Sequence, residues 1–185
     1  MPLPWTPAFP LRTERLNLRA HTPADLADLF EFHSDPEVVR YIPWPVRTLD
    51  ETRFALLAKD AQKRVDSEGQ WLVLAIEVRE TGKVVGEVLL KYSDEEAEQG
   101  ELGFALHRDF QRQGLGFEAA HAMLALGFRE FGLRTITATL DARNAASAGL
   151  LEKLGMTLDS VAHDQPFKGE LVDELHYALT SERFV

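Results

Sequence analysis

Hydrophobic and polar positions alternate along Arg15-Leu16-Asn17-Leu18-Arg19, the period of a strand with one buried face. Thr22-Pro23 then reads as a helix N-cap and its first residue, and Leu26, Leu29 and Phe30 carry that helix to about His33. Ser34-Asp35-Pro36 interrupts it, and residues 38–41 predict another short helical turn. Two prolines make Tyr41-Ile42-Pro43-Trp44-Pro45 an irregular loop. The T-L-D-E run from Thr48 has the form of a capping box and opens a second helix, predicted over 48–65. The period then changes. Residues 71–78 and 84–90 read as strands joined by a turn at Thr81-Gly82, which predicts an antiparallel hairpin. The acidic stretch 93–100 is predicted as a loop. Residues 101–107 alternate again, with Leu102, Phe104 and Leu106 on one face and Glu101, Gly103, Ala105 and His107 on the other. Ala120, Met123, Leu124, Gly127, Phe128 and Phe131 recur at spacings of three and four, predicting one helix over 114–131 capped by Gly132. Residues 135–140 predict a strand, 144–154 a helix closed by Gly155, and 156–161 and 170–179 two last strands.

This order describes one α+β domain: a strand, two helices, an antiparallel meander, then further strands and helices. The first ten residues hold four prolines and read as an extended arm, so the chain divides into an arm over 1–11 and a single domain over 12–185. A length of 185 residues suits one full core and is short for two. No apolar run approaches the roughly 18 residues of a membrane span. No charged-then-apolar leader opens the chain, so the expectation is a cytoplasmic protein with no membrane partner. The absence of cysteine excludes disulfides, thiol nucleophiles and thiolate metal sites. Thirty acidic residues against twenty basic ones give a net charge of −10, which argues against nucleic acid and leaves amine-bearing partners open. The six histidines are scattered without an H-E-x-x-H pattern, so no metal is implied.

Gln111-Arg112-Gln113-Gly114-Leu115-Gly116 lies between a predicted strand and the long helix. Glycine lets backbone approach a ligand, the helix start offers unpaired N–H groups, and Arg112 adds a charge-assisted donor. Together they suit a pyrophosphate. A second reading competes, because Gly114-Leu115-Gly116-Phe117-Glu118-Ala119 also fits G-x-G-x-x-A, with Asp141 near the place of a ribose-binding acid. An antiparallel meander before the motif and only about 70 residues after it count against that dinucleotide site.

The same residues resemble the GNAT superfamily of acetyl-CoA-dependent N-acetyltransferases, whose Q/R-x-x-G-x-G/A motif is matched by Gln111, Gly114 and Gly116. Residues 13–19 look like the opening strand of its RimJ/RimL-like branch, the ribosomal-protein N-terminal acetyltransferases. Arg40-Tyr41-Ile42-Pro43-Trp44-Pro45, Glu101-Leu102-Gly103-Phe104, and Asn144-Ala145-Ala146-Ser147 with Leu151 to Met156 are similar to further stretches of that branch in the same order. The resemblance spans about residues 12–180. It implies a mixed, mostly antiparallel sheet with splayed central strands flanked by helices, and acetyl-CoA as cosubstrate. One departure is plain: many members carry a tyrosine, as general acid, at the position held here by Leu151.

Acetyl transfer needs a neutral amine, a stabilised oxyanion, a proton for the thiolate and a slot for the acceptor. A lysine with pKa about 10.4 costs roughly 4.6 kcal/mol to deprotonate at pH 7, an α-amine about 1 kcal/mol. Glu101 is the candidate base, Glu87 its rival, and a water relay through either stays open. The resemblance implies a freed N–H near Phe104, Ala105 and Leu106 facing the thioester carbonyl. The loop residues Gln111, Arg112, Gln113, Gly114, Leu115, Gly116 and Phe117 are expected to bind the cosubstrate. Asn144 and Ser147 share a helical face, Asn144 toward the pantetheine and Ser147 as the substitute acid; local capping of the helix is the plainer reading of both. Tyr41, Trp44 and Glu87 are expected beside the acceptor, a protein N-terminus or a small-molecule amine. A non-catalytic acyl-CoA-binding domain and a homodimer are left open.

Overall fold

A computed structural model describes residues 3–185; residues 1 and 2 of the proline-rich arm lie outside the described residues. The elements are β1 (Leu11–Arg12), β2 (Leu16–Arg19), α1 (Leu26–His33), α2 (Pro36–Val39), α3 (Leu49–Ala58), β3 (Trp71–Val78), β4 (Val84–Asp94), β5 (Gln99–Leu106), α4 (Leu115–Ala125), β6 (Thr135–Asp141), α5 (Ala145–Lys153), β7 (Thr157–Phe167) and β8 (Glu170–Thr180). The strands form one eight-stranded sheet in the order β1-β2-β3-β4-β5-β6-β8-β7. Among the described residues only the β5–β6 pairing is parallel. No helix of the described residues is long and apolar enough to cross a membrane.

Local chemistry sets the ends of the elements. The Thr48 hydroxyl and the Glu51 carboxylate exchange hydrogen bonds with each other's backbone N–H, so α3 starts where its capping box predicts. It ends earlier than residue 65. A 3-10 stretch (Lys59–Lys63) follows, and Val65 is drawn out to pair with Trp5 through N–H···O bonds of 2.8 and 3.1 Å. Trp5 is only 2% exposed and stacks on Phe131 at 4.4 Å, so the arm contributes to the core. The helix predicted over 114–131 is α-helical only to Ala125 and widens into a π turn, Leu126–Glu130. There Gly127 lies so close to β6 that a Cβ would meet Ile136 Cδ1 at 2.7 Å. The predicted loop 93–100 is shorter, because β4 runs to Asp94 and β5 starts at Gln99. The strand predicted to stop at 161 continues to Phe167.

Alternation along the strands divides the molecule into layers. Leu16, Leu18, Leu72, Leu74, Val88, Leu90, Leu102 and Ile136 point to one face and pack against Ala119, Ala120, Met123 and Leu124 of α4. Their odd-numbered neighbours on β3, β4 and β5 face α1, α2 and α3, which close over a smaller cluster of Leu29, Phe32, Val38 and Leu56.

β5 and β6 pair only at Gln99↔Thr135, Gly100↔Ile136 and Glu101↔Thr137. Beyond that point β5 stays bound to β4 as far as Gly86↔Leu106, and β6 stays bound to β8 as far as Asp141↔Glu174. The two central strands therefore diverge, as the resemblance implies.

Gly86 secures this arrangement, since a Cβ there would stand 2.3 Å from the Ala105 carbonyl oxygen. Gly86→Ala is expected to force β4 from β5 and destabilise the fold by about 1–3 kcal/mol. The check is a lowered urea midpoint at unchanged m; an unmoved midpoint would show that the strands part here without cost.

Candidate active site

A cavity of about 1080 Å³ opens where β5 and β6 separate. On the α3 side it is lined by Trp71, Val73, Leu89, Glu101, Gly103 and Ala105, beneath the loop from Tyr41 to Pro45. On the α5 side it is lined by Leu102, Phe104, Ala138, Asn144, Ser147 and Leu151. Alternation places these two sets on opposite faces of the sheet. The cavity therefore passes through the sheet, between strands that no longer bond each other.

That opening exposes main-chain donors. His107 N–H bonds the Val85 carbonyl at 2.7 Å, and the β4–β5 register is unbroken from Leu106 back to Gly100. Alternate residues direct their N–H groups to opposite sides of a strand. The N–H groups of Phe104 and Leu106 thus point away from β4, into the gap. The Leu106 carbonyl is already taken by Gln111 Nε2 at 2.9 Å.

The glycine loop follows. Gln111 and Gln113 turn their side-chain amides back onto the Leu106 and Asp109 carbonyls and fix the loop from within. Arg112 and Gly114 take positive φ, +58° and +81°, which only glycine adopts freely. Glu118, in the first turn of α4, accepts from Arg15 N and Arg15 Nε, both at 2.7 Å, and from the Thr13 hydroxyl. Arg15 Nη1 donates to the Gln113 carbonyl at 2.8 Å, so Arg15, just before β2, holds the loop through this bond and its ion pair with Glu118. The backbone N–H groups of residues 112–117 have no acceptor among the described residues. Leu115 and Gly116 are buried, whereas Phe117 is partly exposed. A Cβ on Gly116 would meet Leu150 Cδ1 at 3.1 Å, so this glycine also serves the α4–α5 contact.

Asn144 caps α5, its Oδ1 accepting from Ser147 N at 3.1 Å. The local capping reading is therefore realised for Asn144, while the Ser147 hydroxyl makes no protein hydrogen bond among the described residues and lines the cavity. Glu101 is half-buried, with Lys91 Nζ 3.9 Å away. Asp141, the acid of the dinucleotide reading, is bound by Arg143 at 2.7 Å.

Residues 15–157 match the family model described as an acetyltransferase (GNAT) domain. The chain belongs to the GNAT acetyltransferase family. The uncharacterised N-acetyltransferase YnaD of Bacillus subtilis is 30% identical over 94% of this chain and 98% of its own length. A GNAT-family acetyltransferase structure from Bacillus anthracis superposes with a TM-score of 0.82 at 27% identity, covering 92% of this chain and 98% of that one. RimL, a ribosomal-protein alpha-N acetyltransferase in complex with coenzyme A, superposes at 0.80 with 18% identity over 94% and 98%; at that identity the likeness is one of fold.

In this GNAT domain Glu87 lies outside the cavity. It is 0% exposed on the α1–α3 face, with Lys59 Nζ at 2.6 Å, His21 Nε2 at 2.9 Å and His33 Nε2 at 3.3 Å. Its enclosed carboxylate does not line the cavity, against the expectation that it stands beside an acceptor or serves as base. Burial opposes its charge, but the Lys59 ammonium and the two imidazoles outweigh burial and hold it well below the ordinary carboxylate range. Arg47 Nη1 lies 3.1 Å from His33 Nδ1 and can only donate, so His33 carries its hydrogen on Nε2, toward Glu87. Burial pushes His33 down and keeps it neutral. Burial also opposes protonation of His21, yet Asp25 and Glu87 together raise its pKa. Nothing in the spacing of these residues marks the cluster in the sequence. Its members come from the stretch after β2, from α1, from the turn after α3 and from β4.

Because Glu87 and Asp25 titrate lower in the fold than in the open chain, their contribution is fully present above the ordinary carboxylate range and is lost progressively as pH falls below it through their lower folded values. His21 is raised, so its contribution holds below about pH 6.5 and fades as pH rises through the folded value. Glu87→Gln leaves Lys59 buried without its anion and is expected to cost about 3–5 kcal/mol at pH 7. Urea midpoints at pH 7, with melting followed from pH 6 to 3, check both parts. The variant is expected to show a shallower acid slope, and an unchanged midpoint would relieve Glu87 of this role.

Proposed function

We propose that this chain moves the acetyl group of acetyl-CoA to a primary amine by direct attack in a ternary complex. The observation that carries the reading is the cavity through the sheet: amine and thioester can enter from opposite faces and meet between β5 and β6. The six unpaired N–H groups of residues 112–117, at the positive end of α4 and beside exposed Arg112, suit the diphosphate of the cosubstrate. Acetyl-CoA supplies an activated carbonyl. The chain's own groups do the rest. The N–H groups of Phe104 and Leu106 donate to the oxygen on which charge develops, an interaction commonly worth a few kcal/mol. Glu101, on the acceptor side, takes the amine proton directly or through water. Ser147, on the opposite side, supplies the proton for the thiolate, with Asn144 positioning the helix start. Tyr41 and Trp44 wall the acceptor slot. The acceptor is a protein N-terminus or a small-molecule amine, and an α-amine of either kind makes a smaller demand on Glu101 than a lysine does.

Leu151 favours a second reading, an acyl-CoA-binding domain without turnover, because it fills with a buried aliphatic side chain the place of the family's tyrosine acid. Turnover with any amine decides against it.

Coenzyme A is expected to raise the melting temperature and NAD is not, since a ligand that binds only the native state stabilises it. Arg112→Gly suits the positive φ while removing the charge; it should leave the unliganded melting temperature in place and weaken coenzyme A binding about tenfold. Equal affinity would move the diphosphate elsewhere.

Ser147→Ala is expected to lower kcat about tenfold or more with little change in coenzyme A affinity. Glu101→Gln is expected to cost about a hundredfold in kcat/KM and to remove the acid limb of its pH profile. Initial rates of coenzyme A release across pH check both; an unmoved profile excludes Glu101 as base, and unchanged turnover excludes Ser147 as acid.

A further inference from the structure

The acceptor slot has its own charge pattern. Arg47, Asp50, Glu51, Lys59 and Glu101 are the ionisable carboxylate and cationic side chains that line the cavity. Four of them are engaged within the protein. Asp50 pairs with Arg53, and the Glu51 carboxylate accepts from Thr48 N and Thr48 Oγ1 at 2.7 and 2.9 Å. Lys59 is bound to Glu87 at 2.6 Å, and Glu101 has Lys91 at 3.9 Å. Arg47 differs. Among the described residues no carboxylate lies within ion-pair distance of it. Its guanidinium donates to His33 Nδ1 at 3.1 Å and stands over the Trp44 ring at 4.9 Å. That leaves most of its N–H donors without a partner. Burial pushes its pKa down, and the fields of Glu87 and Glu51 offset this only in part. A partly buried guanidinium placed between an aromatic ring and an imidazole is already positioned for a planar anion.

The walls around it are apolar and aromatic: Tyr41, Trp44, Trp71 and Phe54, the last 76% exposed at the mouth. A polyamine or an amino sugar would bring extra positive charge against Arg47 and Lys59 in this setting. An acceptor with one amine, an apolar body and one carboxylate would meet Glu101, the aromatic walls and Arg47. We propose that Arg47 is a specificity-determining residue that binds a carboxylate of the acceptor, so that the acceptor is a small apolar amino acid or peptide with a free carboxylate. This rests on the acetyl-transfer reading of the same cavity.

The test uses matched acceptors that differ only in that group: L-phenylalanine against its amide, and glycyl-phenylalanine against its amide. In the wild type the carboxylate member of at least one pair is expected to have a KM about tenfold lower than its amide. The pair that responds tells a free amino acid from a peptide. Arg47→Gln should abolish that difference by raising KM for the carboxylate with kcat nearly unchanged, and Arg47→Lys, which keeps the charge, should recover part of it. Binding of each compound to the enzyme saturated with coenzyme A is measured in parallel by calorimetry. If no amine is turned over, acetyl transfer fails, and the acid-against-amide binding difference still decides the role of Arg47. The proposal is overturned if neither pair shows a preference, if Arg47→Gln leaves the preference in place, or if spermidine is the better acceptor.

Discussion

The limit of three residue pairs between β5 and β6 is the constraint on which the site depends. A parallel pair that continued past Glu101 and Thr137 would satisfy every backbone group and leave a closed sheet. Instead each strand keeps its other neighbour and gives up this one. Unpaired backbone donors inside a protein are costly unless something occupies them. Here they face a cavity, so the divergence that would weaken an ordinary sheet becomes the feature that chemistry can use.

The remaining structure holds that opening in place. On one side, Glu118 ties β2 to the first turn of α4 and so sets the loop whose N–H groups are free. On the other, the charged cluster around Glu87 fixes α1 and the turn after α3 over the sheet. Both are ion pairs at helix–sheet junctions, but they differ in cost. The Glu118 pair is partly solvated. Glu87 is fully enclosed, and it is tolerable only because Lys59, His21 and His33 surround its two oxygens.

The two clusters also separate the faces chemically. The α4 side offers uncharged backbone amides and Arg112, a setting for phosphate. The α3 side offers aromatic rings, Arg47 with its donors open and Glu101. A chain with a net charge of −10 thus presents a cation at the place where its long-range field would predict none. A cation in the slot acts at contact range, whereas the field of the total charge is screened over about 8–10 Å at physiological salt.

Much of this was legible before any coordinates. The period-two runs placed β2 to β6, and those same parities tell which side chains share the cavity. The glycine loop between strand and helix pointed to an anion, and family motifs pointed to acetyl transfer. What the chain could not show in one dimension was long-range. Trp5 looked like part of a free arm, yet it stacks on Phe131. Glu87 reads from its strand as a rival base beside the acceptor, yet partners from three distant segments enclose it. Nothing in the sequence marks Arg47 beside the proline loop, because the lack of an ion-pair partner is a fact about space. Periodicity and turn chemistry act between near neighbours, so the sequence by itself determined the elements, their buried faces and the loop. Which strands part, and which charges are left to face the gap, depend on contacts between residues far apart in the chain, and only the tertiary structure decided those.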